Sequence, residues 1–172
     1  YGTGLIVSPE GHVATVWSHL LDADVATVVL WDGRRYVGKL IGTDVEKDVA
    51  VLKIEGEGLP CFDLKKTASA SPGARVLAFS NMFKVASGDE PVTVQRGVIA
   101  ARSKLDARRG RFEAPYRGPV YVIDAVTNNP GAAGGALTTL DGRLIAMLGR
   151  ELKNSQTQTW LNYAVPMSEL TD

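Results

Sequence analysis

The chain has 172 residues, 45% of them hydrophobic and 22% charged, which suits one globular domain or two small lobes sharing a core. Nineteen basic residues balance nineteen acidic ones, so nothing global argues for nucleic acid or an anionic membrane as partner. Cys61 is the only cysteine, which excludes an internal disulfide. No apolar run reaches the roughly 18 residues of a membrane span, and no signal peptide is present; opening on Tyr1, the sequence reads as a fragment.

Short β-branched runs closed by turn residues dominate. Residues 2–7 read as a strand, 8–11 (Ser-Pro-Glu-Gly) as a turn and 12–16 as the hairpin partner. A strand over 25–31 ends on Asp32-Gly33, a favoured two-residue hairpin turn, and 35–42 returns from it. Alternation over 48–54 (D-V-A-V-L-K-I) predicts a half-buried strand. Residues 55–73 hold Gly56, Gly58, Pro60 and Pro72-Gly73 and read as a linker. Strands resume at 75–79, 92–101, 120–125, 135–140, 144–149 and 157–165, with a helix start at Pro166. Residues 101–118 read as a long loop; its basic stretch, Arg102 to Arg111, is either an acidic-ligand patch or a solvated loop, the second being the simpler reading.

No segment keeps a 3.6-residue period, and many short strands mean a sandwich or barrel. The linker divides them into two groups. The predicted class is all-β. The N-terminal barrel spans 1–56, the linker 57–73 and the C-terminal barrel 74–172.

Four features stand in order along the chain. His19 ends Thr15-Val-Trp-Ser-His, Asp48 opens D-V-A-V-L, Gly131-Ala-Ala-Gly-Gly follows Asn-Asn-Pro130, and Asn162-Tyr-Ala-Val-Pro166 comes last. Acyl transfer by a serine enzyme needs an imidazole base, a carboxylate to orient it and a hydroxyl nucleophile. It also needs backbone N–H donors at the developing oxyanion, which a glycine-rich loop can supply.

The ordered set resembles the HtrA/Deg family of trypsin-like serine proteases. The family carries a G-x-G strand, a T-x-x-H motif, a D-I-A-L-like strand, a G-N-S-G-G loop and a closing A-I-P. Here stand Gly2-Thr-Gly4, His19, D-V-A-V-L from Asp48, V-L-A-F-S-N-M-F from Val76, T-V-Q-R-G-V-I from Thr93, the glycine loop, and A-V-P from Ala164. The resemblance implies two six-stranded antiparallel Greek-key barrels with the active-site cleft between them, His19 being the general base and Asp48 its orienting partner. It places the nucleophile at Ala133 and the oxyanion hole at the backbone of Gly131 and Ala133. Met147, Leu148, Gly149, Arg150 and Tyr163 would form the substrate pocket, the wall continuing through Glu151 and Asn162, and would prefer a small or medium apolar side chain.

The departures matter. The family's serine is Ala133 and its asparagine neighbour is Ala132. An alanine methyl has neither a proton to give nor a lone pair to attack with, so the chain is expected not to cleave peptide bonds. One extra residue between Gly11 and His19 suggests a bulge. Ala133 is compatible with natural degeneracy or with replacement of a single serine. The chain is then either an inactivated endopeptidase or a pseudoprotease that binds unfolded or extended polypeptide as a scaffold. His12 and His19 leave a metal-binding module as a further alternative; the resemblance itself implies no cofactor and no metal. By resemblance the full-length protein would act in the periplasm or cell envelope, carry a C-terminal PDZ domain and form trimers, whereas this fragment would be a monomer.

Overall fold

The computed structural model describes residues 1–20 and 24–171, with the His19 side chain outside that description. Strands β1 (Leu5–Ile6), β2 (His12–Val16), β3 (Val25–Val29), β4 (Arg35–Asp44) and β5 (Val49–Lys53) form one antiparallel sheet in the order β1-β2-β5-β4-β3. Strands β6 (Arg75–Ser80), β7 (Thr93–Lys104), β10 (Pro119–Asp124), β11 (Ala136–Thr138), β12 (Leu144–Leu148) and β14 (Tyr163–Pro166) close a six-stranded barrel. A small third sheet joins β8 (Ala107–Arg109), β9 (Phe112–Glu113) and β13 (Lys153–Asn154). Among the described residues the one α-helix, α1 (Met167–Leu170), is a single turn.

The two-barrel expectation holds, with one difference of degree. The N-terminal unit has five described strands, and its edge strands β1 and β3 do not pair with each other. β1 keeps only Leu5 and Ile6 of the predicted 2–7 strand, because Thr3 turns its bonds toward the other lobe: its N–H donates to the Ala133 carbonyl at 3.2 Å. The bulge expected before His19 is absent, since β2 pairs with β5 in unbroken register from His12↔Lys53 to Val16↔Val49. A register shift lies instead between Leu40 and Gly42 of β4. The predicted loop 101–118 is largely ordered sheet: β7 runs on to Lys104, and the β8–β9 hairpin follows. The predicted 157–165 strand begins only at Tyr163.

The cores explain why the lobes hold together. Val76, Ile99, Tyr121, Leu137, Ile145 and Leu148 fill the closed barrel. Each such side chain contributes about 1.5–3 kcal/mol on full burial. Val13, Leu30, Leu52 and Ile54 fill the N-terminal sheet. A third cluster crosses between lobes, joining Leu5 and Val16 to Ala133, Ala136, Leu144 and Met147. The segment between β5 and β6 is packed along its length: the Phe62 N–H donates to the Ile6 carbonyl at 2.9 Å and the Ala68 N–H to the Leu144 carbonyl at 2.8 Å.

Candidate active site

His19, Asp48 and Ala133 lie on three different elements. His19 closes a 3₁₀ turn, Trp17–His19, directly after β2. Its side chain, and hence its ring's relation to Asp48, falls outside the described residues. Asp48 sits in the turn entering β5 with φ of +56°, a left-handed conformation that Asp tolerates better than most residues. The Trp17 N–H donates to the Asp48 carbonyl at 3.1 Å. The Ser18 N–H donates to Asp48 Oδ1 at 2.8 Å and the Ser18 hydroxyl to Oδ2 at 3.1 Å. The carboxylate therefore pins the residue next to His19.

Sequence reasoning missed a fourth partner. Arg150 Nε, carried by the segment after β12, lies 3.4 Å from Asp48 Oδ2. The two side chains are only 18% and 16% exposed. This ion pair crosses the interface between lobes, so no local pattern in the sequence could announce it.

The glycine loop is built by close approaches. Gly131 and Gly134 have φ of +86° and +85°. A Cβ on Gly134 would stand 2.1 Å from the Thr3 carbonyl oxygen, and one on Gly131 would stand 2.2 Å from that of Asn81. The Ala132 N–H donates to the Asn129 carbonyl at 3.1 Å, Gly134 to Leu148 at 2.9 Å, and Gly135 back to Ala132 at 3.0 Å. Among the described residues, the N–H groups of Gly131 and Ala133 have no such partner. Thr3 ties this loop to the N-terminal segment: its hydroxyl donates to the Gly131 carbonyl at 2.6 Å and accepts from the Asn81 N–H at 2.8 Å. Asn162 Oδ1 holds the approach to the loop, accepting from the N–H groups of Thr127 and Asn128. Ala133 is 3% exposed, in the inter-lobe cluster with Val16 and Met147.

Met147, Leu148, Gly149, Arg150 and Tyr163 line one recess, and Asp48 and Lys47 share it. The recess is about 20 Å³, room for little more than one water. Gly149 is forced by Tyr163, whose ring carbon would lie 2.1 Å from a Cβ there. Leu105, Ala114, Tyr116 and Leu152 also line it; the first three escaped notice because residues 101–118 read as loop. Burial pushes the Tyr163 phenol well above its ordinary range. Burial, with the Glu169 charge as a lesser cause, pushes Tyr116 up to about 12. The wall is thus apolar and neutral apart from Lys47 and the Asp48–Arg150 pair, which give it a charged edge.

The chain matches the family profile of the trypsin-like peptidase domain over residues 2–147. It belongs to that family. Within it, the domain is of the HtrA/DegP-like serine protease kind. It is 34% identical over 166 residues to a probable periplasmic serine endoprotease, DegP-like, of Marinomonas sp. (strain MWYL1), covering 96% of this chain and 33% of that protein. It therefore spans about a third of the length of the curated relatives it matches. Among solved structures, the HtrA-type protease AlgW with a decapeptide superposes with a TM-score of 0.79 at 30% identity, covering 99% of this domain and 49% of that chain. The MamO protease domain from Magnetospirillum magneticum superposes at 0.78 with 22% identity, covering 99% and 86%, and speaks for the fold alone.

The remaining predicted features are more ordinary. His12 Nδ1 is 2.6 Å from the Ser8 hydroxyl, within the β1–β2 hairpin. Among the described residues, no group of three or more His, Cys, Asp or Glu side chains is placed to hold a metal ion, and no helix is long and apolar enough to cross a membrane. Cys61 is exposed.

Proposed function

We propose that this HtrA/DegP-like domain binds extended polypeptide in the cleft between its lobes and does not hydrolyse it. The observation that carries this is the residue at the centre of the glycine loop: Ala133, a methyl buried against Val16 and Met147. No hydroxyl is available there to attack a carbonyl. Backbone stabilisation of an oxyanion without a nucleophile leaves only about 10³-fold over water, negligible for a protease. The Asp48 carboxylate, engaged by Ser18 and Arg150, fits a structural role equally well. An unpaired strand edge and a glycine-rich loop are the usual means of holding an extended chain by its backbone.

The retained His19, Asp48 and glycine loop favour one second reading, an endopeptidase whose nucleophile alone is replaced. With serine at 133, His19 would take the hydroxyl proton, Asp48 would steady the imidazolium, and the N–H groups of 131 and 133 would hold the tetrahedral oxyanion. The names of the relatives make the periplasm the compartment we propose for the whole protein; a PDZ domain and trimeric assembly belong to the same proposal.

Casein cleavage by the chain and by its Ala133→Ser variant tests both. The chain is expected to leave casein intact while binding a fluorescent unfolded peptide. Cleavage by the unmodified chain that is abolished by His19→Ala refutes the binding-only reading. A variant that cuts, and stops cutting with His19→Ala, selects the second reading; a silent variant that still binds peptide selects the first.

A further inference from the structure

The third sheet, β13-β8-β9, has one buried and one open face. Ala107, Ala114 and Leu152 pack beneath it with Leu105 and Tyr116. Directly paired residues of neighbouring strands stand on one face, so the register fixes what the open face shows. Lys153 pairs with Arg108, and Arg108 with Glu113. Trp160 bridges to the far side of Lys153. The open face is thus a row: Trp160, Lys153, Arg108, Glu113.

The charges along that row do not cancel. Glu113 is already paired with Arg117. Lys153 Nζ lies over the Trp160 ring, 4.7 Å from its centroid. Arg108 forms no ion pair among the described residues and stands between the cation Lys153 and Glu113, whose carboxylate is engaged by Arg117, so the row keeps a net positive charge. Arg111 at the hairpin turn is exposed and adds a further cation; Arg109 and Phe112, paired with each other one residue along, stand on the opposite face. Residues 102–117 hold six basic side chains and two acidic ones in a chain of zero net charge.

We propose that this sheet is an exosite for an acidic stretch of the polypeptide whose neighbouring residues lie in the cleft. The inference rests on the cleft-binding reading above. Leu105, Ala114 and Leu152 line the recess and also support the sheet from beneath, so a chain leaving the recess over that wall meets the row. An extended chain advances about 3.3 Å per residue, which lets alternate carboxylates reach Lys153, Arg108 and Arg111 at the turn. Single-stranded nucleic acid fits less well: the Trp160 face that a base would stack on is occupied by Lys153, and Glu113 interrupts the basic row.

The experiment uses two labelled peptides identical except for a run of Glu in one and Gln in its twin, with binding read by fluorescence anisotropy. The Glu peptide is expected to bind about tenfold more tightly, as two or three exposed ion pairs would give, with the difference shrinking as salt rises. Arg108→Gln/Lys153→Gln is expected to erase the difference while leaving the Gln twin's affinity intact, which also shows that the variant is folded. Equal binding of the twins overturns the exosite and leaves cleft binding standing. If neither peptide binds, the cleft-binding reading fails and takes the exosite with it. A preference that survives in the double variant places the acid site elsewhere and overturns the assignment. A single-stranded oligonucleotide that binds as tightly as the Glu peptide, and is lost in the same variant, overturns it in favour of nucleic acid.

Discussion

Replacing Arg150 by Met tests whether the ion pair across the lobes matters. At about 4 Å and an effective dielectric of about 20, two unit charges attract by about 4 kcal/mol. Desolvation of two largely buried side chains cancels much of that. After the replacement, Asp48 keeps both Ser18 donors, so the carboxylate is not left wholly unpaired. The expected net loss is about 1–2 kcal/mol, a drop of about 3–6 °C in Tm for a domain of this size. Asp48→Asn should cost a comparable amount, and the double variant much less than the sum, since neither charge is then stranded. Urea denaturation followed by circular dichroism reads all four proteins. A loss for Arg150→Met under about 0.5 kcal/mol, the range of ordinary surface substitutions, or strict additivity of the two changes, would refute the argument that the pair staples the lobes.

Two further outcomes follow from named contacts. Gly134→Ala combines a left-handed φ with a Cβ placed 2.1 Å from the Thr3 carbonyl oxygen, so it should cost about 2 kcal/mol or more and be read as a lowered midpoint in the same titration; a neutral result would show that the loop relaxes freely. Tyr116 and Tyr163 both have phenols whose proton is held more tightly in the folded state. Their contribution is fully present below the unfolded phenol value of about 10 and is lost as pH rises through about 12 for Tyr116. Tyrosinate absorbance should therefore rise together with loss of tertiary structure in that window, and phenylalanine at both positions should flatten the alkaline limb.

Much of the architecture could be read from alternation and turn residues. β2, β5 and β6 carry period-2 patterns between glycine or proline turns, and Asp32-Gly33 marks the β3–β4 hairpin. β8, β9 and β13 could not be read this way. They are two or three residues long, and the buried apolar residues that seat them, Leu105, Ala107 and Leu152, stand singly along the sequence. The candidate site divides along the same line. The glycine loop was legible because only glycine tolerates its approaches to the Thr3 and Asn81 carbonyls. The left-handed Asp48 and its bond to Arg150 were not, because they depend on a partner about a hundred residues away, beyond any local pattern.

Thr3 lends itself to one more consequence. Its hydroxyl grips the Gly131 carbonyl and its backbone takes the Ala133 carbonyl, while the Thr15 hydroxyl secures its own carbonyl at 2.6 Å. A pull on the leading segment of β1 is thus delivered straight to the glycine loop, with β2 as the anchor that resists it. Through Thr3 the segment before β1, the glycine loop and β2 are held as one mechanical unit, so none of the three can shift without the others.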